Sequence, residues 1–171
     1  MTALKDAFPI PSLYLNQYVW AAMTGIDETL LPLYGDTVPF FPLADSRAGD
    51  AGWGNKPYVV YDNLFKLRGR PFPQIKHLQI MYFVRGSAED VITWSNTIAH
   101  ILDREDDSAK DVNNYLSVNS SLPPDVFFHR IRVHQIDMVN DQRQDLAVRQ
   151  QYTATMIIDT KYHITQNSGF D

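Results

Sequence analysis

The stretch IKHLQIMYFVRGSAEDVITWSNTIAHILDR, residues 75–104, decides the fold. Its first eleven residues alternate. Leu78, Ile80, Tyr82 and Val84 fall on one parity, and His77, Gln79, Met81 and Phe83 on the other. That is the pattern of a strand with one face buried. The period then changes. Ser87 stands where an N-cap belongs, with Asp90 three residues on, as in a capping box. Glu89 and Asp90 suit the positive end of a helix dipole. Val91, Trp94, Ile98, Ile101 and Leu102 recur at helical spacing and form one apolar stripe, ending around Arg104. A strand that runs straight into an amphipathic helix predicts a sheet with helices laid on one face.

Working outward, Tyr58–Tyr61 is a run of β-formers and predicts a strand before Ile75. Val126–Met138 and Leu146–Tyr162 predict two more. In the first of these, Phe127, Ile131 and Val133 share a parity, with Arg130, Arg132 and His134 on the other. Beyond His134 the apolar positions, Ile136 and Met138, change parity, which marks a β-bulge or a strand that changes role. The last strand is cleaner: Leu146, Val148, Tyr152, Ala154, Met156, Ile158 and Tyr162 against Arg149, Gln151, Thr153, Thr155, Asp159 and Lys161. Asn140–Asp145 forms the polar tip of the hairpin between them. Upstream, Leu13, Val19, Trp20, Met23 and Ile26 predict a helix over about Leu13–Met23, capped by Ser12 and ending near Gly25, with a short turn over Asp27–Leu31. Thr37–Pro57, rich in Pro and Gly, reads as a loop carrying Phe40, Phe41 and Trp53. Those rings either fold back over the core or anchor a neighbouring subunit. Val112, Tyr115 and Leu116 fit a short extra helix in the polar stretch Ser108–Ser121.

The expected fold class is therefore α+β: a two-layer sandwich, with a mostly antiparallel four-stranded sheet, a long hairpin, and helices on one face. The 171 residues form one domain. Residues 1–55 supply an N-terminal helix and aromatic loop, 56–163 the core, and 164–171 a polar tail. Such a chain buries roughly 70% of its unfolded surface and needs no staples.

Composition narrows the function classes. The net charge of −5 argues against nucleic-acid binding, and the basic residues read as scattered, Lys66, Arg68 and Arg70 being the nearest to a cluster. With no cysteine there is no disulfide, thiolate zinc site or cysteine nucleophile. No apolar run approaches the ~20 residues that cross a bilayer, and Met1–Ala7 lacks the order of a signal peptide. A soluble cytoplasmic product is the expectation.

Motifs for chemistry are sparse. Of the five histidines, none pair at the i, i+4 spacing of a helical zinc site, and His129 and His134, five apart on one strand, are expected on opposite faces. An EF-hand laid from Asp103 meets Ser108 where glycine belongs and Asn114 where glutamate belongs. Gly49–Gly54 lacks the Lys-Ser/Thr ending of a phosphate loop, and no Gly-x-Ser-x-Gly elbow occurs. The expectation is no enzyme, no metal and no cofactor. What the chain offers is contact material: nine Tyr, nine Phe and three Trp, an aromatic loop and a long hairpin.

The order of Pro57-Tyr-Val-Val-Tyr61, Ile75–Arg85, Ser87–Trp94, Phe128–Val133 and Arg149–Ile158 resembles the tail terminator proteins of long-tailed phages. The resemblance spans about Lys56 to His163. It implies a homo-oligomeric ring, typically of six copies, that caps the tail tube, ends its polymerisation and presents a surface to head completion or neck proteins. It implies a place in the virion at the head-proximal end of the tail, with host cytoplasm as the site of assembly. A head–tail adaptor or tail completion protein of the neck is the nearest alternative. A cytosolic α+β enzyme or ligand-binding domain is the alternative from another class, and a polymerising tube-like protein fits less well. No membrane and no specific nucleic acid enter this reading, although the genome would pass through the ring. The expected contact residues are Phe40, Phe41 and Trp53 in the loop, Asn140, Asp141, Gln142 and Arg143 at the hairpin tip, and Arg149. The polar face of Arg149, Gln151, Thr153 and Thr155 is expected either at a ring interface or lumen, or in plain solvent.

Overall fold

A computed structural model describes residues 11–26, 39–42, 57–65, 75–104, 107–119, 126–141 and 151–164. The described strands are β1 (Phe40–Pro42), β2 (Tyr58–Phe65), β3 (Lys76–Gly86), β4 (Val126–Asp141) and β5 (Gln151–Ile164). The described helices are α1 (Pro11–Ile26), α2 (Ala88–Leu102) and α3 (Asp107–Asn119). The α+β class and the largely antiparallel sheet of the sequence reading are both present.

The strand count is a correction. The described strands make one five-stranded sheet in the order β1-β2-β3-β5-β4. The extra strand is β1, cut from the stretch expected to be loop. It pairs parallel to β2, with Phe40 opposite Val59 and Phe41 opposite Val60. The Val59 amide also donates to the Pro39 carbonyl at 2.8 Å. All other pairings are antiparallel.

The helices cover one face. α2 starts as its sequence dictates: Ser87 Oγ accepts the Asp90 amide at 3.2 Å and donates to the Asp90 carboxylate at 2.9 Å. Its stripe of Val91, Trp94, Ile98, Ile101 and Leu102 is buried. Against it lie Leu78, Ile80, Tyr82 and Val84 from β3 and Ala154, Met156, Ile158 and Tyr162 from β5, in one apolar cluster. Burying each Val, Leu, Ile or Met side chain among them stabilises the fold by about 1.5–3 kcal/mol. Thr160 shares this buried face and donates to the carbonyl of Leu78, its cross-strand partner, at 2.9 Å.

α1 contributes Leu15, Val19, Trp20 and Met23, and Trp20 meets Trp94 at 6.1 Å between ring centroids. Ser12 was expected as its cap. Instead Ser12 lies inside the helix, fully buried, where its hydroxyl accepts the Asn63 side-chain amide at 3.0 Å. One turn later the Asn16 carbonyl accepts the Tyr82 hydroxyl. Ser12 and Asn16 thus form a short polar ridge on an otherwise apolar face, each matched to a polar group of the sheet. Burial pushes the Tyr82 hydroxyl far above the usual tyrosine range, so it remains a donor.

α3, the extra helix expected around Val112, Tyr115 and Leu116, runs 13 residues. Ala109, Val112 and Leu116 are buried, and Tyr115 stacks edge-on against Tyr18. Its start is tied to the end of α2 by Ser108, whose hydroxyl accepts the Arg104 amide at 2.8 Å.

β4 departs furthest from its expected pattern. It carries two register shifts, between Phe128 and Arg130 and between Val133 and Gln135. The extra residues are His129 and His134. The second bulge is the one foreseen from the parity change. The first is new, and it moves Val126 and Phe128 into the core while Phe127, expected inside, is 42% exposed. Trp53, Asp27–Leu31, residues 142–150 and the 165–171 tail lie outside the described residues.

Candidate functional site

The three described helices occupy one side of the sheet. Among the described residues, no helix or strand packs over the other side. Strand alternation together with register assigns its members row by row. Across β3, β5 and β4 the rows are His77–Lys161–Arg130, Gln79–Asp159–Arg132 and Phe83–Thr155–Asp137. Across β1, β2 and β3 a further row runs Phe41–Val60–Phe83.

The face has three zones. At the β1–β2 side Phe41, Tyr58 and Val60 are buried in a second small apolar cluster with Phe83 against it. In the centre Met81, Ile157, Thr153 and Thr155 are half-buried. Toward β4 the residues are charged, aromatic and exposed: Phe127, His129, Arg130, His134 and Asp137.

Four of the five histidines sit on this face: His77, His129, His134 and His163. The expectation that His129 and His134 point to opposite faces is overturned. Each is an inserted residue of a bulge, and the added residue breaks strict alternation. His129 Nε2 lies 2.6 Å from His163 Nδ1, and Phe127 packs beside both rings at 5.2 and 5.3 Å. At this distance one ring nitrogen donates a hydrogen bond and the other accepts it, the direction following the tautomers. Desolvation, and then the neighbouring His163, hold the His129 imidazole below its ordinary range. His134 Nε2 meets Asp159 at 3.1 Å in an exposed pair.

Basic residues gather here as well, which the sequence reading did not anticipate. Arg85, Arg130, Arg132 and Lys161 all lie on the open face, against Asp62, Asp137 and Asp159. The Nε atoms of Arg85 and Arg132 and the Thr153 hydroxyl are shielded from solvent with no hydrogen-bond partner. Arg130 and Lys161 are far apart in sequence, and only the β4–β5 pairing makes them neighbours. The alternation of arginines in 130–132 was visible; the register that sets them beside Lys161 was not.

The helix side has the opposite character. Glu89, Asp103 and Asp107 are exposed and Asp90 and Asp111 half-exposed, against Arg104 and Lys110. Arg104 is engaged by Asp111 at 3.4 Å. Ile92 and Val118 stand among them with 45% and 81% of their surface exposed.

Of the contact residues expected from sequence, Phe40 and Phe41 are buried, Phe40 against Tyr82 at 5.6 Å and Phe41 against Tyr58 at 6.2 Å. They fold back over the sheet, one of the two outcomes considered, and little of either ring is left for a partner. Asn140 and Asp141 are the last residues of β4, paired with Tyr152 and Gln151. Gln142, Arg143, Arg149 and Trp53 lie outside the described residues. Thr153 and Thr155 are on the open face, as their parity required.

Among the described residues no group of three His, Asp or Glu side chains gathers as a metal site, and no helix is long and apolar enough to cross a membrane. No family model matches the chain, and no curated protein matches it.

Proposed function

We propose that this protein is a structural component of a phage tail, one that assembles as a ring on the end of the tail tube, stops its growth and offers its free side to the neck. The carrying observation is the β4–β5 hairpin. Its strands run 16 and 14 residues and, at about 3.3 Å per residue against about 1.5 Å in a helix, extend further than the helices that cover them. The end of β4 extends past that cover: Ile136 lies opposite the buried Met156, on the helix side, yet is 42% exposed. A hairpin projecting beyond its own core, beside a sheet face with no described cover, is material for contacts with other chains. The order β2, β3, α2, β4, β5, with α3 inserted between α2 and β4, is the one on which the resemblance to tail terminators rests. Heterologous contacts repeated around an axis close into a ring, and a ring presenting a non-repeating outer side is a cap.

The test is the mass and shape of the purified protein by light scattering after size exclusion, with negative-stain imaging, alone and with tail-tube protein. A closed ring, alone or on addition of tube protein, supports this function. A strict monomer indifferent to tube protein refutes it.

A further inference from the structure

We infer that the open sheet face of one copy docks on the helix layer of the next, the basic β4 end of the sheet meeting the acidic α2–α3 surface. This inference rests on the ring reading and names the contact that would build it.

The two faces of the chain are complementary in charge. The sheet face carries Arg85, Arg130, Arg132 and Lys161 against Asp62, Asp137 and Asp159, the cations Arg130, Arg132 and Lys161 lying together across β4 and β5. At its exposed end lie Arg130, Lys161, His77, His129 and His163, with Asp159 in contact with His134 at 3.1 Å. The helix face carries Glu89, Asp90, Asp103, Asp107 and Asp111 against Arg104 and Lys110. The chain as a whole is acidic, at −5, so a basic zone on one face is a local concentration against the average. In a chain of like copies such a zone finds its opposite charge on every neighbour.

The faces also match in apolar content. The sheet side offers the exposed Phe127 and the half-buried Met81, Phe83 and Ile157; the helix side offers Ile92 and Val118. Aromatic and methionine anchors inside a charged rim are the usual anatomy of a specific interface. The geometry is directional as well. The two patches lie on opposite sides of one sheet and differ from each other, so the contact cannot be two-fold symmetric. It must run head to tail, and such contacts close into rings or extend as filaments.

Two charge-reversed variants test this. R130E/R132E leaves a chain with acidic groups on both faces. D103K/D107K leaves one with basic groups on both. Each alone is expected to run as a monomer where the unmodified protein forms a ring. An equimolar mixture is expected to assemble again, with the two variants alternating, because each face then meets its opposite. Recovery in the mixture also demonstrates that both variants are folded. If the unmodified protein assembles and either variant alone assembles equally well, this interface is wrong while the ring reading stands. If R130E/R132E still assembles but loses affinity for duplex DNA, the basic end serves the genome, and the inference is overturned. If the unmodified protein stays monomeric with and without tube protein, the ring reading fails first.

Discussion

Asn113 takes hold of both backbone groups of Phe128. Its side-chain amide donates to the Phe128 carbonyl at 2.8 Å, and its side-chain carbonyl accepts the Phe128 amide at 2.9 Å. Phe128 lies on β4, the last strand in the sheet order, one residue before the His129 bulge. A helix side chain therefore supplies what a further strand would supply, and it closes one stretch of an open edge.

Asn113→Ala should destabilise the protein by roughly 1–3 kcal/mol, the cost of leaving partly buried backbone groups unpaired. Asn113→Asp keeps the acceptor and loses the donor, so it should fall between. Urea denaturation midpoints measure both, and Asn113→Ala should in addition aggregate more readily through the freed edge. An unchanged midpoint for Asn113→Ala would show that water replaces the amide without loss.

The buried pair of Tyr82 and Asn16 makes a second case. Tyr82→Phe leaves the Asn16 carbonyl without its donor in the core and should cost about 1–3 kcal/mol. Adding Asn16→Leu removes the orphaned group, and the double variant should recover much of the loss. A double-mutant cycle by denaturation gives the coupling; purely additive losses would mean the pair does not act as a unit.

Gly86 joins β3 to the α2 cap at a φ of 154°, and a β-carbon placed there meets Pro57 Cβ at 3.2 Å and Pro57 Cα at 3.3 Å. Backbone is among the atoms in the way, so relief by side-chain motion is incomplete. Gly86→Ala should cost roughly 1–3 kcal/mol from conformational strain, read as a lowered thermal midpoint. Wild-type stability in that variant would mean the β3–α2 junction relaxes freely.

Acid should weaken the fold through His129. Its folded imidazole is held below the ordinary value of 6.5, so the unfolded chain takes up a proton first. This contribution is therefore intact above about pH 6.5 and declines as pH falls below it, toward the depressed folded value. The effect is small, because water screens an exposed ring. His129→Gln should flatten the pH dependence of the thermal midpoint across about pH 7.5 to 5.5. Parallel curves for both proteins would place the acid sensitivity elsewhere.

Much of this fold was legible because its signals are local. The strand over Lys76–Gly86, the Ser87 cap and the buried stripe of α2 each declare themselves within a few residues. The bulge at His134 was legible because apolar parity changes across it. The bulge at His129 left no such mark: Phe127 and Phe128 are both aromatic, and either could have faced the core. β1 is three residues of a Pro-rich segment and becomes a strand only through pairing with β2. The same holds for the candidate surface. The arginines of β4 were in view, but their union with Lys161 and His77 depends on which strands lie side by side. Ser12 reads as a cap on local grounds, and only the distant Asn63 makes it a buried acceptor.

The sheet order has a consequence for biosynthesis. β5 is the last described strand to emerge during translation, yet it lies between β3 and β4 and supplies Ala154, Met156, Ile158 and Tyr162 to the core. Until it arrives, β3 and β4 have no partner between them, and α2 and α3 have only part of a floor. A nascent chain thus cannot complete the described sheet until β5 has left the ribosome. Emergence of β5 becomes the step that closes the core, a timing rule written into strand order.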